Sequence, residues 1–370
     1  MALTLHGTVA DNTVVLSRQN AKPLIINGDM QVAQRATSAT GITGNGVHTI
    51  DRIALDLSDN GTWTQTQSTD VPTGQGFASS LKMDCTTADA AVAAGTYHLL
   101  RYKFEGQDCQ LFKKGTSSAE YITVAFWIKS NKTGTFTVEL FDSEGDDRTI
   151  SKTFTIDSGD TWEKKVLSFI GDTSSAQPNT NALGLSVNIW MTGGSTFTGG
   201  TLQTAWGAKT NNERADTSVN IADSTDNEYY LTGLQVEVGD FDANSIAPFQ
   251  HESFGDSLLR CQRYLYDPLR GADSFGVLSV GACVSTTVCR AVLYAPAEMR
   301  TRPTIVTSGD LEVAGSGFSP AVTANAVSVR TGTQAIEVQF TVSSGLTANA
   351  AAMVRRDNND TAQYRLDAEL

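Results

Sequence analysis

Tyr230-Leu231-Thr232-Gly233-Leu234-Gln235-Val236-Glu237-Val238-Gly239 is the stretch on which the fold reading turns. Read with a period of two, Tyr230, Thr232, Leu234, Val236 and Val238 line one face of a strand. The same alternation recurs upstream. Ile122, Val124, Phe126 and Ile128 alternate with Tyr121, Thr123, Ala125 and Trp127. Phe136, Val138 and Leu140 alternate with threonines and Glu139, and Leu183, Leu185, Val187, Ile189 and Met191 alternate with Gly184, Ser186, Asn188 and Trp190. Each row buries one face and leaves the other for solvent or a second layer, as antiparallel sandwiches require. Turn residues separate the rows at 131–134, 158–160, Gly193-Gly194 and Gly199-Gly200. The fold class expected is all-β, with a jelly-roll-like antiparallel β-sandwich over residues 23–252.

One short helix interrupts the β pattern. Ser253 is placed to cap it, with Asp256 three residues later as a carboxylate variant of the capping box. Leu258, Leu259, Tyr264 and Leu265 supply its apolar stripe, Arg260 and Arg263 are expected to face outward, and Pro268 and Gly271 end it. It reads as a connector over 253–266. Shorter β pieces follow at 277–284, 287–294, 304–307 and 335–342. They predict a second small β-sandwich, a tip domain over 267–370. Residues 1–22 are polar with short β-prone pieces, too little apolar surface to fold alone, and are expected to act as an anchoring arm.

Composition narrows the function classes. The chain has 370 residues and a formal charge of -13, and a surface this acidic repels nucleic acid phosphates and anionic membranes. No nucleic-acid partner and no membrane insertion are expected. The five cysteines have no CxxC pair and no framework spacing, which predicts buried thiols made in a reducing cytoplasm. The opening Met1-Ala2-Leu3-Thr4-Leu5-His6 lacks a basic region followed by an apolar core, so no signal peptide is expected.

Three further segments carry a resemblance. Leu24-Ile25-Ile26-Asn27-Gly28-Asp29-Met30-Gln31-Val32-Ala33-Gln34-Arg35 is followed by Thr49-Ile50-Asp51-Arg52. The closing strand 230–239 leads to Ala247-Pro248-Phe249-Gln250-His251 and then Cys261-Gln262-Arg263-Tyr264. In order and spacing these resemble the phage tail-fibre and tail-fibre-like virion proteins that carry a carbohydrate-binding-module-like β-sandwich. Glu298-Met299-Arg300-Thr301-Arg302-Pro303-Thr304 resembles a strand entry in the C-terminal domains of the same proteins. Ala33, Ala36 and Ile53 depart from the family, which often has Trp, Gly and Trp there.

The resemblance implies a virion protein, made in the host cytoplasm and built into a phage particle. It implies a homotrimer, joined to other virion proteins through the arm, with host surface polysaccharide as its outside partner. The function expected is a short tail fibre or spike that binds host glycans without catalysis. The alternatives are a head or tail decoration protein with an architectural role only, and a glycan depolymerase.

Candidate residues follow from side-chain chemistry. Sugar rings stack on aromatic faces, which points to Trp206 in a Gly/Thr/Asn-rich stretch, and then to Trp190 and Trp63. Asp142, Glu144 and Asp146 surround Gly145, and closely spaced oxygens at a glycine turn suit calcium, the one cofactor considered. The same acids fall within one expected hairpin loop rather than across a cleft, so no catalytic pair is assigned. His6, His48, His98 and His251 form no HxH or HExxH pair, and no GxSxG elbow or Walker loop is present.

Overall fold

In a computed structural model of the chain, residues 22–370 are described except 145, 218, 329 and 330. The arm expected over 1–22 therefore lies outside the described residues, apart from Lys22.

The first sandwich uses β1 (Ser38–Ile42), β2 (Ile53–Ser58), β3 (Thr62–Ser68), β4 (Ser80–Thr87), β5 (Tyr97–Glu105) and β6 (Ile122–Ser130). It continues with β7 (Gly134–Asp142), β8 (Arg148–Ile156), β9 (Glu163–Phe169), β10 (Leu183–Gly193), β11 (Gly207–Ala208) and β12 (Glu228–Val238). One six-stranded antiparallel sheet runs β1-β3-β4-β12-β6-β9 and the other β11-β8-β7-β10-β5-β2. Their facing rows make the core. Val124, Phe126 and Ile128 of β6 and Leu231 and Val236 of β12 join one buried cluster with Phe136, Val138 and Leu140 of β7 and Val187 and Ile189 of β10. The alternation read from the sequence holds for β6, β7 and β10.

In β12 it does not. Pairing with β6 runs Thr232 to Trp127 and then Gln235 to Ala125, so β12 carries one extra residue. The bulge centres on Gly233, at φ +62. A Cβ on Gly233 would lie 2.6 Å from Phe77 Cζ, so both the backbone conformation and the packing call for glycine. Tyr229 and Leu231 before the bulge, and Leu234 and Val236 after it, all enter the core. Tyr230 and Thr232 therefore point to the opposite face from Leu234. The single row expected across 230–238 is two rows out of phase.

The helix spans Phe254–Cys261, with Ser253 Oγ accepting from the Asp256 N–H at 3.2 Å. It ends well before Pro268, and β13 (Leu265–Tyr266) already pairs with β21 (Gln363–Asp367). The second sandwich adds β14 (Val277–Cys283), β15 (Val288–Tyr294), β16 (Thr304–Ser308), β17 (Leu311–Ala314), β18 (Val322–Val327), β19 (Ala335–Val342) and β20 (Ala351–Arg356). A three-stranded sheet, β13-β21-β16, packs on a six-stranded sheet, β17-β20-β14-β15-β19-β18. Met299, Val338, Phe340, Val354, Tyr364 and Leu366 fill the space between them.

The segments that carried the resemblance meet at the seam between the sandwiches. Asn27 holds the first loop by accepting from the Val32 N–H and donating to the Val32 and Asp51 carbonyls. Gln34 donates to Asp51 Oδ2 at 2.6 Å and to the Leu265 carbonyl at 2.8 Å. Burial pushes Asp51 up to about 6, against the bonds from Gln34 and the charge of Arg35. Arg35 reaches Asp367 at 3.1 Å, and Arg52 reaches Glu369 at 2.5 Å and the Lys103 carbonyl at 2.6 Å. Arg263, expected at the surface, instead grips buried Glu105 through two bonds of 2.6 and 2.7 Å. Burial would raise Glu105, yet the bonds from Arg263 and Tyr264 hold it below the usual carboxylate range. Arg260 likewise turns back, to Glu252 at 2.7 Å and the Pro23 carbonyl at 2.8 Å.

Candidate functional site

Two of the three tryptophans singled out for sugar stacking are interior. Trp63 is fully buried, donates to the Asn60 carbonyl at 2.7 Å and meets the His98 ring edge-on at 4.7 Å. Trp190 points away from the core of its sheet but is 1% exposed, because Phe197, Ala215 and Arg214 cover it. Its Nε1 donates to Glu139 Oε2 at 2.9 Å, and the same carboxylate accepts two bonds from Arg214. A ring with no free face cannot stack on a sugar. Trp206 is half-buried against the core, with Nε1 bonded to the Ile170 carbonyl at 2.6 Å and the Lys114 ammonium 4.9 Å from its ring.

The acidic cluster does not converge either. Asp142 ends β7, where its side chain is wholly buried and ion-paired with Lys114. Lys114 also lies 3.6 Å from Asp172, and Asp172 is held by Arg148 at 2.8 Å. Glu144 accepts from the Thr180 hydroxyl, and Asp146 is exposed. Among the described residues, no three His, Cys, Asp or Glu side chains are placed to hold a metal ion. The five cysteines are buried free thiols.

The face that does offer aromatic and polar groups together is the outer side of the β1-β3-β4-β12-β6-β9 sheet. The bulge at Gly233 turns Tyr230 onto it, opposite Lys82 of β4 and Lys129 of β6. Trp162, just before β9, sets its ring 6.0 Å from that of Tyr230 at 64°. Lys129 Nζ lies beside both rings, 4.2 Å from the Tyr230 centroid and 5.9 Å from the Trp162 centroid. Asp70 closes the arrangement: Oδ1 accepts from Trp162 Nε1 at 2.9 Å, and Oδ2 pairs with Lys129. At the other end the Tyr230 hydroxyl donates to Glu228 Oε1 at 2.9 Å, and Glu228 pairs with Lys82 at 2.5 Å.

This ledge is open to solvent at its polar ends. The Asp70 side chain is 44% exposed, and Glu228 and Lys82 are about a quarter exposed, at 27% and 26%. Burial and the bond to Glu228 raise the Tyr230 hydroxyl to about 12, so it stays a neutral donor. Asp70 is held below the usual carboxylate range by Lys129 and Trp162, against the effect of burial. Half-buried Trp127 lies on the same strand face as Lys129. Tyr230 itself is 6% exposed beneath Trp162, Lys129 and Lys82, so the aromatic surface the ledge offers is the half-buried Trp162 ring, flanked by two ammonium groups and two carboxylates that can meet hydroxyl groups. The sequence reading named neither Trp162 nor Tyr230 as a site. The signal available was the Lys82, Lys129 and Tyr230 side chains on facing strands, and it was hidden by the phase change in β12.

No protein-family model matches the sequence, and no curated protein matches it. Among solved structures the chain is similar to the enzymatically active domain of a bacteriophage CBA120 tailspike protein, at 12% identity and TM-score 0.30. That alignment covers 58% of this chain and 21% of the other, so this chain spans about a fifth of the tailspike domain. It is also similar to the C-terminal family 22 carbohydrate-binding module of Clostridium thermocellum Xyn10B, at 11% identity and TM-score 0.29, covering 54% of this chain and 91% of that one. A third likeness, to a carbohydrate-binding module solved with β-1,4-galactotriose, has 8% identity and TM-score 0.28 and covers 59% and 99%.

Proposed function

We propose that this chain is a structural component of a bacteriophage virion that binds host surface glycan without catalysis, through the Trp162–Tyr230 ledge. The observation that carries the binding step is the ledge itself, where the half-buried Trp162 ring rests on buried Tyr230 and is held by Asp70 beside Lys129. Apolar ring contact supplies affinity and the polar ends select hydroxyl positions. The assignment to a phage particle rests on the sequence resemblance at residues 24–35, 49–52, 230–239 and 261–264. The seam supports a load-carrying role, because the resembling residues are spent on joining two sandwiches rather than on a reaction centre. Single-site affinity is weak in this reading, and many copies on one particle raise avidity.

The test is binding of purified protein to arrayed glycans and host surface polysaccharide, with wild type beside Trp162→Ala. Binding that drops at least about tenfold in the variant supports the ledge, as loss of one stacked ring costs over about 1 kcal/mol. Silence of the wild type across all glycans favours a decoration protein with an architectural role only. New reducing ends released from the polysaccharide would overturn the non-catalytic part.

A further inference from the structure

Cys283 and Cys289 face each other across the β14–β15 hairpin, and neither takes part in the ledge or the seam. They are direct partners in the antiparallel register. The Cys283 N–H and carbonyl bond away from β15, to the Ala350 carbonyl at 2.9 Å and the Asn349 N–H at 2.7 Å. Cys289 therefore lies opposite it at a non-hydrogen-bonded site, where paired side chains come closest. Both side chains are buried and point into the core of the second sandwich. Such a site sets Cα atoms about 4.5 Å apart, inside the roughly 4.4–6.8 Å that a disulfide spans. The turn beside them is already fixed. Val284 N–H donates to the Val288 carbonyl at 2.8 Å, and Ser285 Oγ accepts from the Thr287 and Val288 N–H groups at 3.2 and 3.1 Å. Among the described residues no third ligand joins the pair, as a zinc site needs.

We infer that Cys283 and Cys289 are an oxidative modification site, which closes to a cross-strand disulfide when the folded protein meets hydrogen peroxide. The Cys283 thiolate attacks one peroxide oxygen, breaks the O–O bond and becomes a sulfenic acid, releasing hydroxide. The Cys289 sulfur then attacks the sulfenic sulfur, forming the S–S bond and expelling the hydroxyl as water. The peroxide gains two electrons, each sulfur loses one, and both thiol protons end in water. The order of attack follows from the contact between the thiols. Cys289 donates its S–H to Cys283, which eases ionisation of Cys283 against the effect of burial. Burial, the charge of Cys283 and that same bond push Cys289 up to about 11. Peroxide is close to water in size, and the pair lies next to the hairpin end, where Val284 is exposed. The bond joins the two central strands of the six-stranded sheet and restricts the unfolded chain.

The inference is independent of glycan binding and is tested separately from it. Full-length protein is treated with hydrogen peroxide while folded, quenched with catalase, then alkylated in denaturant and mapped by mass spectrometry. The wild type is expected to keep three of its five thiols. The peptide that holds Cys283 and Cys289 is expected to be unalkylated and two hydrogens lighter, and dithiothreitol is expected to restore all five thiols. In Cys283→Ala, the sulfenic acid left on Cys289 has no partner and is expected to be trapped by dimedone. Five intact thiols after treatment, a bond between any other two cysteines, a bond between chains, or sulfinic acids in place of the bond would each overturn the proposal.

Discussion

The guanidinium of Arg52 lies 3.4 Å from the ring centroid of Tyr264, and both side chains are buried. Arg52 comes from the first sandwich and Tyr264 from the link to the second, so this stacked pair is the centre of the seam. Around it, Tyr264 donates to Glu105 at 2.6 Å and Arg52 pairs with Glu369. The charges are satisfied from both sides, which is the condition under which buried ions are tolerated.

Replacing one member should therefore be costly. Arg52→Met is expected to destabilise the protein by about 3–5 kcal/mol, since Glu369 keeps only the longer contact with Arg35 at 3.6 Å in a poorly solvated place. Urea denaturation followed by tryptophan fluorescence and by far-UV dichroism measures it. The two probes should separate, because all five tryptophans belong to the first sandwich or its loops. Coincident, unshifted curves would show that the stacked pair contributes nothing to the seam.

His98 should make stability fall in mild acid. Burial pushes it down to about 3 from the ordinary 6.5, and it sits neutral between Asn60 Oδ1 and the Tyr229 hydroxyl. The unfolded chain takes up a proton below about pH 6.5 while the folded chain does not, so stability present above 6.5 is lost toward pH 3. The slope is about 1.4 kcal/mol per pH unit. Asp51, raised to about 6, works in the opposite sense below pH 6. The readout is accordingly the difference between wild type and His98→Gln in urea midpoints from pH 7 to 5. A difference that does not change with pH would refute the assignment.

Gly233→Ala should be disproportionate for one methyl group. The residue needs a positive φ, and its Cβ would strike Phe77. A loss of about 2–3 kcal/mol is expected, more than the strain of a left-handed residue alone. Thermal unfolding measures it, and a change below half a kilocalorie would mean the bulge relaxes freely.

Trp206→Ala and Trp162→Ala should separate stability from binding. Trp206 packs on the core and bonds to Ile170, so its loss is expected to cost about 2 kcal/mol and leave glycan binding unchanged. Trp162→Ala should do the reverse, with stability changed by under about 1 kcal/mol. The paired measurement is a melting curve and a glycan titration for each variant. Binding lost in Trp206→Ala alone would return the site to the position read from the sequence.

Lys114→Met should be severe and Asp146→Asn nearly silent. Lys114 is the buried counter-ion of Asp142 and a neighbour of Asp172, which Arg148 also holds, and removing it takes the buried Asp142 carboxylate's counter-ion away at a cost of about 3 kcal/mol or more. Asp146 is exposed, and its change should stay within about 0.5 kcal/mol. Equal effects in chemical denaturation would contradict the separation of these two acids.

The sequence made the first sandwich legible because β6, β7 and β10 alternate without interruption. The helix cap was legible for the same reason, as Ser253 and Asp256 interact locally. In the second sandwich β17, β18, β20 and β21 passed unnoticed, since rows such as Ala351–Arg356 mix alanine and arginine with few large apolar residues. The burial of Trp63 and Trp190 and the side on which Tyr230 lies escape the sequence for physical reasons. Periodicity tells which residues share a face but not what covers that face, so Trp190 looked available until Phe197 and Arg214 were seen over it. A bulge shifts the phase by one, so plain alternation puts Tyr230 on the same side as Leu234 and the structure puts it on the opposite one. Glu139 and Asp142 likewise look like surface acids until Arg214 and Lys114, 75 and 28 residues away, are found against them.

The extra residue in β12 also bears on how such a protein can change. Removing a single codon at position 233 would set Thr232 directly before Leu234, and plain alternation would then keep Tyr230 and Thr232 outside and Leu231, Leu234 and Val236 inside. The bulge is therefore what lets the strand carry one residue more without turning either half over. Three nucleotides can be gained or lost at this one point while the core row and the outer row both keep their faces.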